Sequence, residues 1–167
     1  MTELLGKALV LAGCSAYGLL RGLELKKRGD CLEDFWRFLA RVSRELSFSL
    51  RPIPDLMAQT RGEGWTADFA AACLAAFAAA GRESWAESWR ETLDQTPLPL
   101  KETDRALLRE AGEVLGRYDG DSQRQALAGI LARLEENRGE ARREEQRLFR
   151  VYAALGIAGG LFVCLLL

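Results

Sequence analysis

Histidine is absent from this 167-residue chain, which removes the commonest general base and the commonest metal ligand. Cysteine is scarce: the four stand at 14, 31, 73 and 164 with no C-x-x-C pair, so neither a zinc site nor a thioredoxin-like redox motif is present. Proline occurs four times, and no stretch alternates apolar and polar residues for long enough to predict a sheet. Also missing are a P-loop, the Rossmann glycine pattern, a carboxylate-rich metal motif and a nucleophile elbow. Serine and aspartate stand where helix caps need them, and the scattered carboxylates of amphipathic helices read as solvated faces. The expectation is one helical domain of ordinary size that is not an enzyme, holds no cofactor or metal, and takes no small-molecule substrate.

The net charge of −1 conceals a pattern. Residues 29 to 137 hold 13 Lys/Arg against 19 Asp/Glu, a net of −6. A body this acidic argues against a nucleic-acid partner, which requires a positive face. Basic residues gather on either side of it: Arg21, Lys26, Lys27 and Arg28 at one end, Arg138, Arg142, Arg143, Arg147 and Arg150 at the other.

Each basic cluster adjoins an apolar end. Val151 to Leu167 is 17 residues without a charge, roughly 25 Å at helical rise against a hydrocarbon core of about 30 Å. Leu4 to Leu20 is apolar except for Lys7, which lies one turn from the end and is placed to snorkel. Both stretches are expected to be transmembrane helices. The positive-inside rule, applied at either end, places the middle in the cytoplasm. The expected organisation is an N-terminal membrane helix over 1–25, a cytoplasmic helical domain over 26–150 and a C-terminal membrane helix over 151–167. Gly18 and Gly22, with Cys14, and Gly156 and Gly160, with Cys164, form small-residue stripes that suit close pairing of the two spans. One alternative uses the same residues differently. Leu11-Ala12-Gly13-Cys14 resembles a lipoprotein cleavage box and would lipidate Cys14 outside the cell, although only six residues separate Lys7 from Cys14, short for a signal h-region.

Between these ends glycine and proline punctuate a series of helices. Asp30 and Glu33 form a capping-box pattern, followed by Leu32, Phe35, Trp36, Leu39, Val42 and Leu46 at helical spacing. Pro54 opens a short helix to Thr60, and Arg61-Gly62-Glu63-Gly64 predicts a turn. Thr66 is expected to cap an alanine-rich helix ending near Ala80 with Gly81 as its stop. Ser84 with Glu87 predicts another capped helix. It carries Trp85 and Trp89 on one face, as core residues or, alternatively, as a binding platform. Pro97-Leu98-Pro99 is a linker before a helix from Thr103 to Leu115. The last helix begins near Asp121, keeps Leu127, Ile130, Leu131, Leu134, Ala141 and Leu148 on one stripe, and is free to run into the C-terminal span, with Gly139 the natural place for a bend. The fold class is all-α: an antiparallel bundle of about six helices flanked by N- and C-terminal transmembrane helices. Cys31, next to the basic cluster, is expected to react with thiol reagents once the membrane is opened.

Gly112-Glu113-Val114-Leu115-Gly116, then Asp119, then Gln123 resemble the stage III sporulation protein AB family. That family shows a G-E-x-L-G stretch, an aspartate and a glutamine-containing helix start. Glu45, Leu46, Pro52 and Ile53 match its Glu-aliphatic and Pro-aliphatic pairs. Ser84 to Trp89 resembles its tryptophan segment loosely, and Leu155-Gly156 matches the opening of its final apolar span. The chain departs from the family in having fewer lysines and no histidine after Asp119, and in the insertion-like Gly62-Glu63-Gly64.

The resemblance implies a fold similar to the cytoplasmic domain of the type II secretion F protein. It also implies a multi-pass membrane protein on the mother-cell side of the outer forespore membrane, a platform component of the channel between mother cell and forespore. The implied partners are the secretion-type ATPase, stage III sporulation protein AA, and other membrane proteins of the same operon. Any nucleotide chemistry would belong to that ATPase. Glu45, Glu113 and Asp119, polar residues beside helix ends within matching segments, are the candidate partner-binding residues, because helix-end turns combine fixed geometry with exposed polar groups. A membrane-anchored or lipid-anchored helical adaptor unrelated to secretion is the alternative.

Overall fold

The computed structural model describes residues 26–46, 51–60, 62–81, 84–116 and 120–166, and for 152–166 mainly the backbone. The described residues form six helices and no strand: α1 over 26–46, α2 Ile53–Gln59, α3 Trp65–Ala79, α4 Trp85–Gln95, α5 Glu102–Leu115 and α6 Gly120–Leu166. The all-helical expectation holds, and so does the count. Among the described residues no helix is long and apolar enough to cross a membrane, so the flanking transmembrane helices of the sequence reading find no support here. The Leu4 to Leu20 stretch, with Cys14, Gly18 and Gly22, lies outside the described residues. Gly156 and Gly160 lie within α6, whose helical assignment runs through Gly139 without a break.

The chain divides into two compact bodies, Asp30–Arg138 and a second made of Met1–Gly29 with Gly139–Leu167. The first is built on a run of aromatic rings. Phe35 of α1 meets Phe69 of α3 edge-on with centroids 5.2 Å apart. Phe69 in turn meets Trp89 of α4 at 4.8 Å. Trp85 lies 6.3 Å from Trp89 and 5.6 Å from Phe77. Leu32, Leu39 and Val42 of α1, Leu93 of α4, Leu108 and Leu115 of α5, and Leu127 and Leu134 of α6 fill the remaining core. Trp85 and Trp89 are therefore core residues, and the platform reading falls away.

The helix ends explain most of the punctuation, with corrections. Ser84 caps α4, its Oγ accepting from the Glu87 N–H, and Pro54 sits in the first turn of α2. Asp30 is not the N-cap of α1: the described helix already runs from residue 26, so Asp30 lies inside it. Thr66 is not the N-cap of α3 either. That helix starts one residue earlier, after Gly64, because Asp34 of α1 reaches across and its Oδ2 accepts the Trp65 N–H at 3.0 Å. Gly64 has φ +54°, and a Cβ there would stand 2.2 Å from that same Asp34 oxygen, so both the backbone angle and the space require glycine. Trp36, expected in the core, is only half-buried and carries the Arg138 guanidinium 5.0 Å over its ring. Arg138 also pairs with Glu33 at 2.8 Å.

Cys31 and Cys73 are both fully buried, which corrects the expectation that Cys31 is reactive. Burial pushes the Cys31 thiol far above its ordinary range, with the Asp34 and Asp104 carboxylates adding to the effect. Burial likewise pushes Cys73 up to about 12 from an ordinary 9.0. In the unfolded chain both thiols ionise above pH 9, while the folded chain keeps them protonated, so this stability is complete below pH 9 and is lost as pH rises towards 12. The loss approaches about 1.4 kcal/mol per pH unit for each thiol. Urea melts between pH 8 and 11 should fall more steeply for the native chain than for Cys73→Ala. Equal slopes would show that burial of the thiol does not control its ionisation.

Candidate partner-docking surface

The segment 111–116 closes α5, and its residues divide cleanly by role. Gly112 lies under the Trp89 indole: a Cβ there would sit 2.1 Å from Cδ1 of the ring. The same indole donates from Nε1 to the Leu108 carbonyl at 2.8 Å. Val114 and Leu115 are buried, and a Cβ on Gly116 would lie 3.2 Å from that of Ala86. The last carbonyls of a helix have no partner within it. Here Gln123, the buried polar residue at the start of α6, donates from Nε2 to Val114 O at 3.1 Å and Leu115 O at 3.0 Å. Glycine, valine, leucine and glutamine thus build one supported helix end, and Glu113 is the exposed residue in 111–116.

The surrounding carboxylates are largely occupied. Arg109 takes Asp94 at 2.8 Å and Glu102 at 2.6 Å, and these two acceptors hold its guanidinium above the usual range. Arg90 takes Glu87 at 3.1 Å and Arg133 takes Glu110 at 2.7 Å. Gln95 donates to Glu91. Among the described residues no ion pair involves Glu113, nor Glu45, which is exposed in the last turn of α1. Carboxylates of this kind accept only, so each suits a guanidinium or ammonium from a partner. No hydrogen bond or ion pair of the described residues links Glu45 with Glu113, and Asp119 lies outside the described residues.

Arg105 is the residue the sequence reading passed over. Its guanidinium donates to Leu93 O at 2.6 Å, Thr96 O at 3.1 Å and Leu98 O at 3.3 Å, closing the end of α4 and holding the proline-flanked linker. Nothing local marks it, because its acceptors are backbone carbonyls on another element.

The family model for stage III sporulation protein AB matches residues 3–167. A solved structure of a stage III sporulation protein AB superposes with a TM-score of 0.64 at 20% identity, covering 72% of this chain and 98% of its own. At that identity the superposition speaks for the fold. No curated protein matches.

Proposed function

Since this chain belongs to the stage III sporulation protein AB family and its role is therefore in sporulation, we propose that it is a membrane platform protein that docks a cytoplasmic secretion-type ATPase. The observation that carries the docking reading is the end of α5: a carboxylate, Glu113, exposed and, among the described residues, without an ion pair, beside Gly112, Val114 and Leu115, which are buried, and carbonyls that Gln123 holds. Such a helix end presents one charge on a fixed backbone, so little backbone freedom is lost on binding. Glu45, on the last turn of α1, offers a second acceptor of the same kind. The proposed partner is the ATPase stage III sporulation protein AA, with other membrane proteins of the operon, at the outer forespore membrane on the mother-cell side. The apolar stretches 4–20 and 151–167 serve as anchors in this reading. The support for them is the uncharged run after Arg150 and the basic residues that border both stretches.

Charge reversal tests the docking. Glu113→Lys should weaken ATPase binding about thirtyfold, the equivalent of breaking a close interfacial charge pair at roughly 2 kcal/mol. Its melting temperature should stay near that of the native chain, because exposed substitutions stay within about 0.5 kcal/mol. Glu45→Lys should act in the same direction. A binding loss that merely tracks melting temperature would show that these residues hold the fold and touch no partner. If the ATPase fails to copurify with the native chain, the adaptor unrelated to secretion becomes the better reading.

A further inference from the structure

The body formed by Met1–Gly29 and Gly139–Leu167 brings together two basic clusters that the sequence keeps far apart. Arg28 pairs with Glu144 at 3.2 Å across 116 positions of chain, and its side chain is only 9% exposed. Beside it, a Cβ on Gly29 would lie 3.6 Å from the Arg142 side chain. These contacts set residues 28–29 of α1 against residues 142–144 of α6. Lys26, Lys27, Arg143, Arg147 and Arg150 are all exposed around this junction. Among the described residues none of the five has an ion-pair partner, whereas Arg28 and Arg142 are matched by Glu144 and Glu145.

Apolar groups stand directly beside this charge. Phe149 is 50% and Val151 44% exposed, the two exposed large apolar side chains among the described residues. An open groove along the same stretch is lined by Glu140, Arg143, Glu144, Arg147, Leu148 and Val151. Read along α6, its lining passes from charged to apolar over three turns. A nucleic acid or an acidic protein surface would match the cations and leave Phe149 and Val151 in water. A bilayer surface with negative headgroups matches both.

We propose that this collar binds the headgroups of anionic phospholipids, with Arg143 and Arg147 meeting phosphate and Leu148, Phe149 and Val151 entering the acyl boundary. The inference rests on the anchored reading above, and adds to it a preference among lipids. The test uses the full chain reconstituted in phosphatidylcholine vesicles containing a trace of spin-labelled phosphatidylglycerol or, separately, spin-labelled phosphatidylcholine. The motionally restricted fraction of each label reports its association with the protein.

At low salt the phosphatidylglycerol label should associate about fivefold more strongly or better, the effect of one or more basic residues acting near a headgroup. The ratio should fall towards one in 1 M salt, and in the variant carrying Lys26→Gln, Lys27→Gln, Arg143→Gln and Arg147→Gln, with no change in melting temperature. Equal association of the two labels with the native chain would overturn the proposal. So would a variant that keeps the preference. Alkaline carbonate extraction of the same vesicles reads the anchoring separately. A chain that resists extraction but shows no preference refutes the collar alone. One that is extracted yet prefers the anionic label at neutral pH refutes the anchors alone, and one that fails both tests refutes both.

Discussion

Trp89→Ala is expected to destabilise the Asp30–Arg138 body by about 3–5 kcal/mol, the range for truncating a buried aromatic side chain. Trp89 is fully buried, packs edge-on against Phe69 at 4.8 Å and donates its Nε1–H to Leu108 O at 2.8 Å. Truncation therefore opens a cavity and deletes a hydrogen bond in one step. Gly112→Ala probes the same contact from the other side. In most helices this change gains about 1 kcal/mol. Here the new Cβ would stand 2.1 Å from Cδ1 of an indole that its hydrogen bond and Phe69 hold in place, so a loss of about 1–3 kcal/mol is expected from overpacking. The sign should change with context. In the Trp89→Ala background the added methyl faces the cavity, and Gly112→Ala becomes neutral or favourable. Urea melts of the four proteins measure this directly, and an equal cost in both backgrounds would show that the indole is not what excludes the methyl.

The limits of the sequence reading follow from where the stabilising groups come from. Leu32, Phe35, Leu39 and Val42, expected on one stripe, are all buried, because helical spacing alone puts them on one face. Phe38 is buried as well, which a narrow stripe left out. What the reading missed is the groups that finish helix ends from other elements. Asp34 reaches from α1 to the start of α3, Gln123 from α6 to the end of α5, and Arg105 from α5 to the end of α4. No window drawn around a single helix contains both donor and acceptor in such cases. The same holds for the candidate site. A Gly-Glu-Val-Leu-Gly stretch shows that something in it is polar among small and apolar residues. That Gly112 seats an indole while Gly116 packs near Ala86, and that the glutamate is the exposed residue of the segment, required α4 and α6 to be in place. The glutamine that the family resemblance picked out proves to be the group that finishes α5.

Asp104→Ala is the other substitution expected to have a large effect, of about 3 kcal/mol. The Asp104 carboxyl group is fully buried. Its Oδ2 accepts the Lys101 N–H at 3.0 Å, closing the first turn of α5, and its Oδ1 accepts from Asn137 Nδ2 at 2.9 Å, joining α5 to α6. Removing the side chain leaves a cavity at a fully buried position and takes the acceptor from a backbone donor and a side-chain amide, both in part-buried places, where each lost partner costs about 1 kcal/mol. Asp104→Asn keeps the volume and one acceptor oxygen, so its cost should be intermediate. Asn137→Ala removes the amide that donates to Oδ1, and in that background Asp104→Ala should cost less than it does alone. Strict additivity would mean that the 2.9 Å contact carries no coupling energy. This residue also sharpens the docking test. Asp104 is buried and Glu113 is exposed on the same helix, so Asp104→Ala should lower the melting temperature while the folded fraction binds the ATPase with unchanged affinity. Glu113→Lys should do the reverse. A partner surface that responded to Asp104 as strongly as to Glu113 would have to be recognising the integrity of α5 as a whole, and not the carboxylate at its end.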